Sequence, residues 1–368
     1  MGIKGYLILE NGDILEGESF GAKTEVDGEV VFNTGMVGYP EGFTDPSYFR
    51  QILVMTYPLI GNYGAPPKLY TDNLPKFLES EKIQIKGLIV SSYIENNTHW
   101  QSAYSLSSWL YNEGIPALSG IDTRTLTKIL RSFGVMKGKI SFTKPRSTSG
   151  FIFDDINSRN LVSSVSIKEP KIYGNGKIRL VLIDCGFKSN QIKLLLKHDT
   201  TIIHVPWSYD LFGQGNRYHF DAIFISNGPG DPKMVKETIE TIKQAIGRKI
   251  PILGICLGNQ ILALATGADT FKLKYGHRSQ NQPVKDEISG KCYVTSQNHG
   301  FAVDTKSLRE DWIPWFTNLN DNTNEGIRHM SLPFFSIKFH QEATPGPTDT
   351  EWIFPFFIEE VKKWLKKN

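Results

Sequence analysis

The chain has 368 residues, of which 40% are hydrophobic, and a formal net charge of +3. That length favours two domains over one, and a charge so small and so evenly spread speaks against a nucleic-acid surface or a polybasic membrane anchor. Its three cysteines, Cys185, Cys256 and Cys292, are scattered with no CxxC pair, which argues against a disulfide framework or zinc site and for a reducing compartment.

No apolar run approaches membrane-spanning length. The opening Met1-Gly2-Ile3-Lys4-Gly5-Tyr6 carries neither a signal-peptide pattern nor the Ser or Thr that a myristoylation signal wants. A cytoplasmic protein without membrane or nucleic-acid partners is expected.

The first stretch, Gly5-Tyr6-Leu7-Ile8-Leu9 and Ile14-Leu15-Glu16-Gly17, predicts two strands joined by the turn Glu10-Asn11-Gly12-Asp13, since Asn-Gly is a strong hairpin signal. Glu29-Val30-Val31-Phe32-Asn33 and residues 51–55 continue the strand character. Between them, Thr34-Gly35-Met36-Val37-Gly38-Tyr39-Pro40-Glu41-Gly42 and Thr44-Asp45-Pro46-Ser47-Tyr48 read as an ordered loop or interface surface. A phosphate loop is a weaker alternative, because neither a Walker lysine nor GxGxxG is present. Leu59-Ile60-Gly61-Asn62-Tyr63-Gly64 is a tight turn, Leu88-Ile89-Val90 a buried strand, and residues 105–111 a short helix. Asp122 or Thr123 can cap a second helix running through Arg131. His99 stands alone and reads as structural.

Residues 144–150 and 168–176 are charged and rich in Ser, Pro and Gly, so the linker is placed there. Two domains are expected, 1–170 as a mixed β/α domain and 177–368. From Ile178 the chain alternates strands (178–183, 201–205, 221–226, 250–255) with helices (190–197, 233–246), the pattern of a doubly wound, mostly parallel α/β sheet. Ligands on such sheets bind beyond the C-terminal strand ends.

One such end is Gly254-Ile255-Cys256-Leu257-Gly258. An apolar run stops there and a helical pattern, 257–265, starts at once, so Cys256 sits on a strand-to-helix corner with the spacing of a nucleophile elbow. The helix N-terminus favours a thiolate. A buried small hydrophobe is the competing reading of Cys256. Asn227-Gly228-Pro229-Gly230-Asp231-Pro232 is either a set of backbone donors facing a ligand or a plain turn before a helix. In Gln297-Asn298-His299-Gly300-Phe301, His299 is open to a ligand role or a structural one. His340 and Glu342, read as part of a strand over 335–342, project from one face, which suits a carboxylate that orients an imidazole base. A metal reading of His-x-Glu lacks a third ligand.

These motifs together, in this order, resemble the class I (triad) glutamine amidotransferases. Phe32-Asn33-Thr34-Gly35-Met36-Val37-Gly38-Tyr39, Thr44-Asp45-Pro46-Ser47-Tyr48, Gly61-Asn62-Tyr63-Gly64, Gly120-Ile121-Asp122-Thr123-Arg124 and Gln297-Asn298-His299-Gly300-Phe301-Ala302-Val303 are similar to the glutamine-hydrolysing small subunits of carbamoyl-phosphate synthetase. The likeness covers essentially the whole chain. It implies Cys256 as nucleophile, His340 as proton shuttle and Glu342 as its holder, with backbone N–H groups of Leu257 and Gly230 at the oxyanion. It further implies that L-glutamine is held by Ser47, Gly228, Gly230, Leu257, Gln260, Asn298, Gly300 and Phe301, with Ser47 coming from the first domain.

The partner implied is a large synthetase chain that receives ammonia through a tunnel and uses ATP, Mg or Mn and bicarbonate to make carbamoyl phosphate for arginine and pyrimidine synthesis. A heterodimer or a tetramer of heterodimers follows from the same resemblance, with no cofactor and no metal in this chain. The chain departs from the family at Asn259, where His is usual, at Gln341, where Pro is usual, and over Gly276-His277-Arg278-Ser279. None of these is a triad member, so activity is expected to survive.

Overall fold

The computed structural model describes residues 2–145 and 151–367. The chain forms two compact units, Met1–Ser158 with Lys274–Ser279, and Arg159–Leu273 with Gln280–Asn368. Of the expected linker, residues 146–150 lie outside the described residues.

The first unit is built on a closed barrel of seven strands, in the order Lys4–Leu9, Ile14–Ser19, Ala117–Ser119, Gly87–Val90, Gln51–Met55, Val26–Asn33, Met136–Ser141. The expected hairpin is present, with Ile8 opposite Ile14 and Gly12 at φ 98° in the turn. Strands Val26–Asn33, Gln51–Met55, Gly87–Val90 and Ala117–Ser119 run parallel to their neighbours in that series. Both faces of Gln51–Met55 and Gly87–Val90 are covered, which is why 52–55 and 87–90 read as unbroken apolar runs. Alternate residues serve two cores: Phe32, Val54 and Ile89 face one, with Leu126 and Leu130 of the helix Thr123–Phe133. Val31, Leu53 and Leu88 face the other, with Phe43 and Trp109.

Capping follows the side-chain chemistry. Asp122 is the residue that caps, its carboxylate accepting from Thr125 N at 2.9 Å, and Ser105 caps the helix Leu106–Asn112. Residues 34–42 are not wholly loop, for their end enters the short helix Tyr39–Phe43. There Pro40 sits at the helix start, where its missing N–H costs nothing. Arg278, in the stretch that departs from the family pattern, accepts from Thr34 N through its carbonyl at 3.2 Å and belongs to this unit.

The second unit holds a ten-stranded sheet. Its five parallel strands lie in the order Thr200–Pro206, Ile178–Asp184, Ala222–Ile225, Ile252–Ile255, Phe334–Ile337. On one side of them Lys171–Tyr173 adds an antiparallel edge strand, so part of the stretch 168–176 is sheet. On the other side Asn324–His329 and Trp312–Asn318 continue antiparallel.

Helices cover both faces, as the alternation predicts. Ile242 of Lys236–Gly247 and Ile261 of Leu257–Ala265 share a core with Val181, Ile203, Ile223 and Ile252. Phe224, pointing the opposite way, meets Phe354 of the C-terminal helix Ile353–Leu365, ring centroids 6.0 Å apart. The helix expected over 233–246 begins later, at Lys236, because Asp231 caps a separate 3-10 turn, Pro232–Met234. Among the described residues no helix is long and apolar enough to cross a membrane.

Candidate active site

The strand Ile252–Ile255 ends at Cys256, which takes φ 54° and ψ −101° before the helix Leu257–Ala265 begins. A non-glycine residue at positive φ is strained, and such strain concentrates at functional sites. The flanking glycines are what allow the corner. A Cβ on Gly254 would stand 2.4 Å from Gly258 O, and one on Gly258 would stand 2.3 Å from Ile225 O, closer than any carbon tolerates. Cys256 N donates to Ile337 O at 2.8 Å, which fastens the corner to the next parallel strand. Asn259 is buried inside the helix and donates to Ser336 Oγ at 2.9 Å, a tie to that same strand.

Around the thiol the strand ends converge. Cys256 Sγ lies 3.7 Å from Asn298 O, and Gln260 Nε2 donates to Phe301 O at 2.8 Å. Asn298, Gly300 and Phe301 therefore come to the corner on the long strand Cys292–Val303. Gly228 packs so closely that a Cβ there would meet Cys185 O at 2.0 Å and Leu257 Cδ2 at 2.9 Å, and Gly230 has φ +86°. Gln191 Nε2 donates to Asn227 Oδ1 at 2.9 Å, which links that glycine loop to the helix Ser189–Leu195. Ser47 belongs to the first unit, buried in the 3-10 turn Pro46–Tyr48, where its N–H donates to Asp45.

His340 and Glu342 are brought together as expected, with His340 Nδ1 and Glu342 Oε1 2.7 Å apart and both residues buried. The strand read through 335–342 is corrected, however. It stops at Ile337, His340 makes only an isolated bridge to Ser296, and 341–342 turn away. The two side chains meet because the turn folds Glu342 back, with Ala343 N donating to His340 O at 3.2 Å.

Burial disfavours protonated His340, but the Glu342 carboxylate and a hydrogen bond to Cys256 outweigh it and raise its proton affinity. Burial likewise pushes the Glu342 carboxyl up, and the charges of Lys188 and His340 more than reverse this, holding it well below the usual carboxylate range. Cys256 thus favours the protonated form of His340.

Several residues that hold this site were missed in the sequence. Lys188 lies 3.3 Å from Glu342 Oε1 and donates to Ala343 O at 2.7 Å. Gln191 Nε2 donates to Glu342 Oε1 at 3.2 Å, and Asn190 Nδ2 to Glu342 O at 2.6 Å. All three follow the strand Ile178–Asp184, and their place beyond the C-terminal end of a parallel strand was the available signal. Lys338, fully buried just past a strand of Phe, Phe, Ser and Ile, donates to Cys256 O at 3.4 Å. A lysine in an apolar run was its signal. His299, left open in the sequence, has both ring nitrogens within bonding reach of its own strand, Nδ1 at 3.0 Å from Phe301 O and Nε2 at 3.1 Å from Gln297 Oε1.

A thiol on a strained strand-to-helix corner beside a hydrogen-bonded imidazole and carboxylate is an arrangement that suits acyl transfer. Comparison with known proteins agrees with this chemistry. Residues 181–360 match glutamine amidotransferase class-I and residues 7–140 match the carbamoyl-phosphate synthase small chain, CPSase domain. The carbamoyl phosphate synthase small chain of Pyrococcus furiosus is 47% identical over 97% of this chain and 97% of its own length. Multifunctional protein URA2 of Saccharomyces cerevisiae is 48% identical over 97% of this chain, which spans 18% of that protein. Carbamoyl-phosphate synthase [ammonia], mitochondrial, of Homo sapiens is 45% identical over 97% of this chain, which spans 24% of it. The chain belongs to the carbamoyl-phosphate synthase small-chain family, and its second half is a class I glutamine amidotransferase domain.

Proposed function

We propose that the chain hydrolyses L-glutamine at Cys256 and delivers the ammonia to a large synthetase chain for carbamoyl phosphate formation. The observation that carries this is the strained Cys256 corner beside the buried His340–Glu342 pair. Thiolate Sγ attacks the side-chain amide carbon, and the C=O electrons move onto oxygen. The N–H groups of Leu257 and Gly230 are the donors that would meet that oxyanion, a form of preorganised stabilisation worth roughly 3–4 kcal/mol per donor. His340, holding the proton, gives it to the amide nitrogen, the C–N bond breaks, and ammonia leaves a γ-glutamyl thioester. Water then gives a proton to His340 and attacks the thioester, which releases glutamate and restores the thiolate.

By the family resemblance, Ser47, Gly228, Gly230, Leu257, Gln260, Asn298, Gly300 and Phe301 would contact glutamine. At neutral pH free ammonia is mostly ammonium and not nucleophilic, which is the physical reason for direct delivery to the partner. ATP, the divalent metal and bicarbonate belong to that large chain, with which this one forms a heterodimer in the cytoplasm.

The test is carbamoyl phosphate formation by the chain reconstituted with a large chain. Cys256→Ser is expected to abolish glutamine-dependent formation and leave ammonia-dependent formation intact. Undiminished glutamine-dependent turnover would remove Cys256 as the nucleophile. Turnover with ammonia alone, even with Cys256 present, would make the chain a non-hydrolytic subunit.

A further inference from the structure

Lys338 is among the largest fully buried side chains of the protein. Its backbone N–H donates to Glu325 O at 2.7 Å, and its Nζ donates to the carbonyl of Cys256 at 3.4 Å. That carbonyl belongs to the residue bent to φ 54° at the corner. A buried ammonium is costly unless opposite charge compensates it. Burial does lower the proton affinity of Lys338, and the groups that oppose the loss are Cys256 and Glu325.

The charged neighbourhood is compact. Glu325 is fully buried, accepts from Asn318 Nδ2 at 3.0 Å and lies 4.0 Å from His299 Nε2. His340 is the other titratable group beside the thiol, backed by Glu342 and, behind it, Lys188. His340 is needed to move protons, so its charge changes during turnover. Lys338 is tied instead to a backbone oxygen, the carbonyl of Cys256.

We infer that Lys338 is a positioning residue for the Cys256 nucleophile: its ammonium, fixed on the Cys256 carbonyl, holds the corner and supplies positive charge that stabilises the thiolate. This rests on the reading of Cys256 as nucleophile. The interaction is reciprocal, because whatever charge on Lys338 does for deprotonation of the thiol, the thiolate does for protonation of Lys338.

The experiment uses the full chain and follows thiolate absorbance at 240 nm against pH, each trace taken as the difference from the same chain carrying Cys256→Ser. Lys338→Gln keeps a donor for the Cys256 carbonyl and removes the charge; Lys338→Met removes both. Both are expected to move the Cys256 titration up by about one unit, roughly tenfold less thiolate at a given pH. A Lys338→Gln trace that coincides with the parent overturns the proposal. A second measurement keeps Lys338 in place: NMR of lysines labelled at Cε should show the Lys338 titration falling when Cys256 becomes Ser, and an unmoved titration overturns the proposal equally. Ammonia release from glutamine by the parent is read separately. Its absence would sink the catalytic reading while leaving both titrations interpretable.

Discussion

Lys188 and Glu342 form a buried ion pair, Nζ to Oε1 3.3 Å, with side chains 4% and 0% exposed. The same Glu342 oxygen accepts from His340 Nδ1 at 2.7 Å and from Gln191 Nε2 at 3.2 Å. The Glu342 carboxylate is thus held not only by His340 but by two residues that follow the strand Ile178–Asp184. A buried carboxylate left without its cation is strongly destabilised.

Lys188→Met is therefore expected to cost about 3–5 kcal/mol in urea unfolding. Glutaminase kcat should fall at least about tenfold with KM little changed, because Lys188 orients the base through Glu342 and is not among the proposed glutamine contacts. A variant with parent kcat and parent stability would show that the pair does neither job.

Glu342→Gln bears on both catalysis and pH dependence. By analogy with an orienting carboxylate in other triads, kcat should drop by roughly 10²–10⁴. Because Glu342 has a depressed folded pKa, its contribution to stability is present above the unfolded value of about 4.3 and is lost as pH falls through the folded value. For His340 the folded pKa is raised, so its contribution is complete below the unfolded value of about 6.5 and is lost as pH rises through the folded value. Urea midpoints of the parent should thus decline on both flanks, and Glu342→Gln should flatten both. Parallel pH profiles for parent and variant would refute the coupling.

Gly258→Ala should break the corner by sterics alone, since the new Cβ would lie 2.3 Å from Ile225 O. About 2–4 kcal/mol of stability is expected to go, with loss of glutaminase activity even in molecules that remain folded. Gly247, at the end of the helix Lys236–Gly247, has open space where a Cβ would go and serves as the control. Gly247→Ala should leave activity unchanged and alter stability by no more than about 1 kcal/mol, in the stabilising direction. Equal effects at the two glycines would contradict the close-packing account.

Asp184 closes the strand Ile178–Asp184 by accepting from the N–H groups of Ile167, Gly186 and Phe187 at 2.7, 2.9 and 3.0 Å. Burial pushes its carboxyl up, but His204 and these donors hold it below the ordinary range. Its stabilisation should be present above the unfolded value of about 3.9 and vanish as pH falls through the folded one. Asp184→Asn is expected to cost about 2–4 kcal/mol near neutral pH, because an amide turns a donor toward donors, and to narrow the gap from the parent in acid. Thermal unfolding of both chains across the acid range checks this.

Some features of the fold and the site were legible in the sequence. The Cys256 corner was, because a strand-to-helix turn depends on local backbone freedom and the two glycines that grant it are two residues away on either side. The parallel sheet was, because βα alternation is a periodic signal within single segments. The proximity of His340 and Glu342 was too, although a turn beyond Ile337, and not side-by-side projection on a strand, brings them together.

Other features were not readable, because they are long-range. Gln191 and Glu342 are 151 positions apart, and no local pattern links them. The barrel closes where Lys4–Leu9 pairs with Met136–Ser141, Leu9 opposite Gly138, a register that strand propensity does not specify. Lys338 looks like an interruption of an apolar run until the fold sets its Nζ on the Cys256 carbonyl. By itself the sequence determined which residues are candidates for the chemistry, since spacing, turn chemistry and residue type are local. Only the tertiary structure decided which charges stand around them, because electrostatic coupling depends on distance and burial and not on position along the chain.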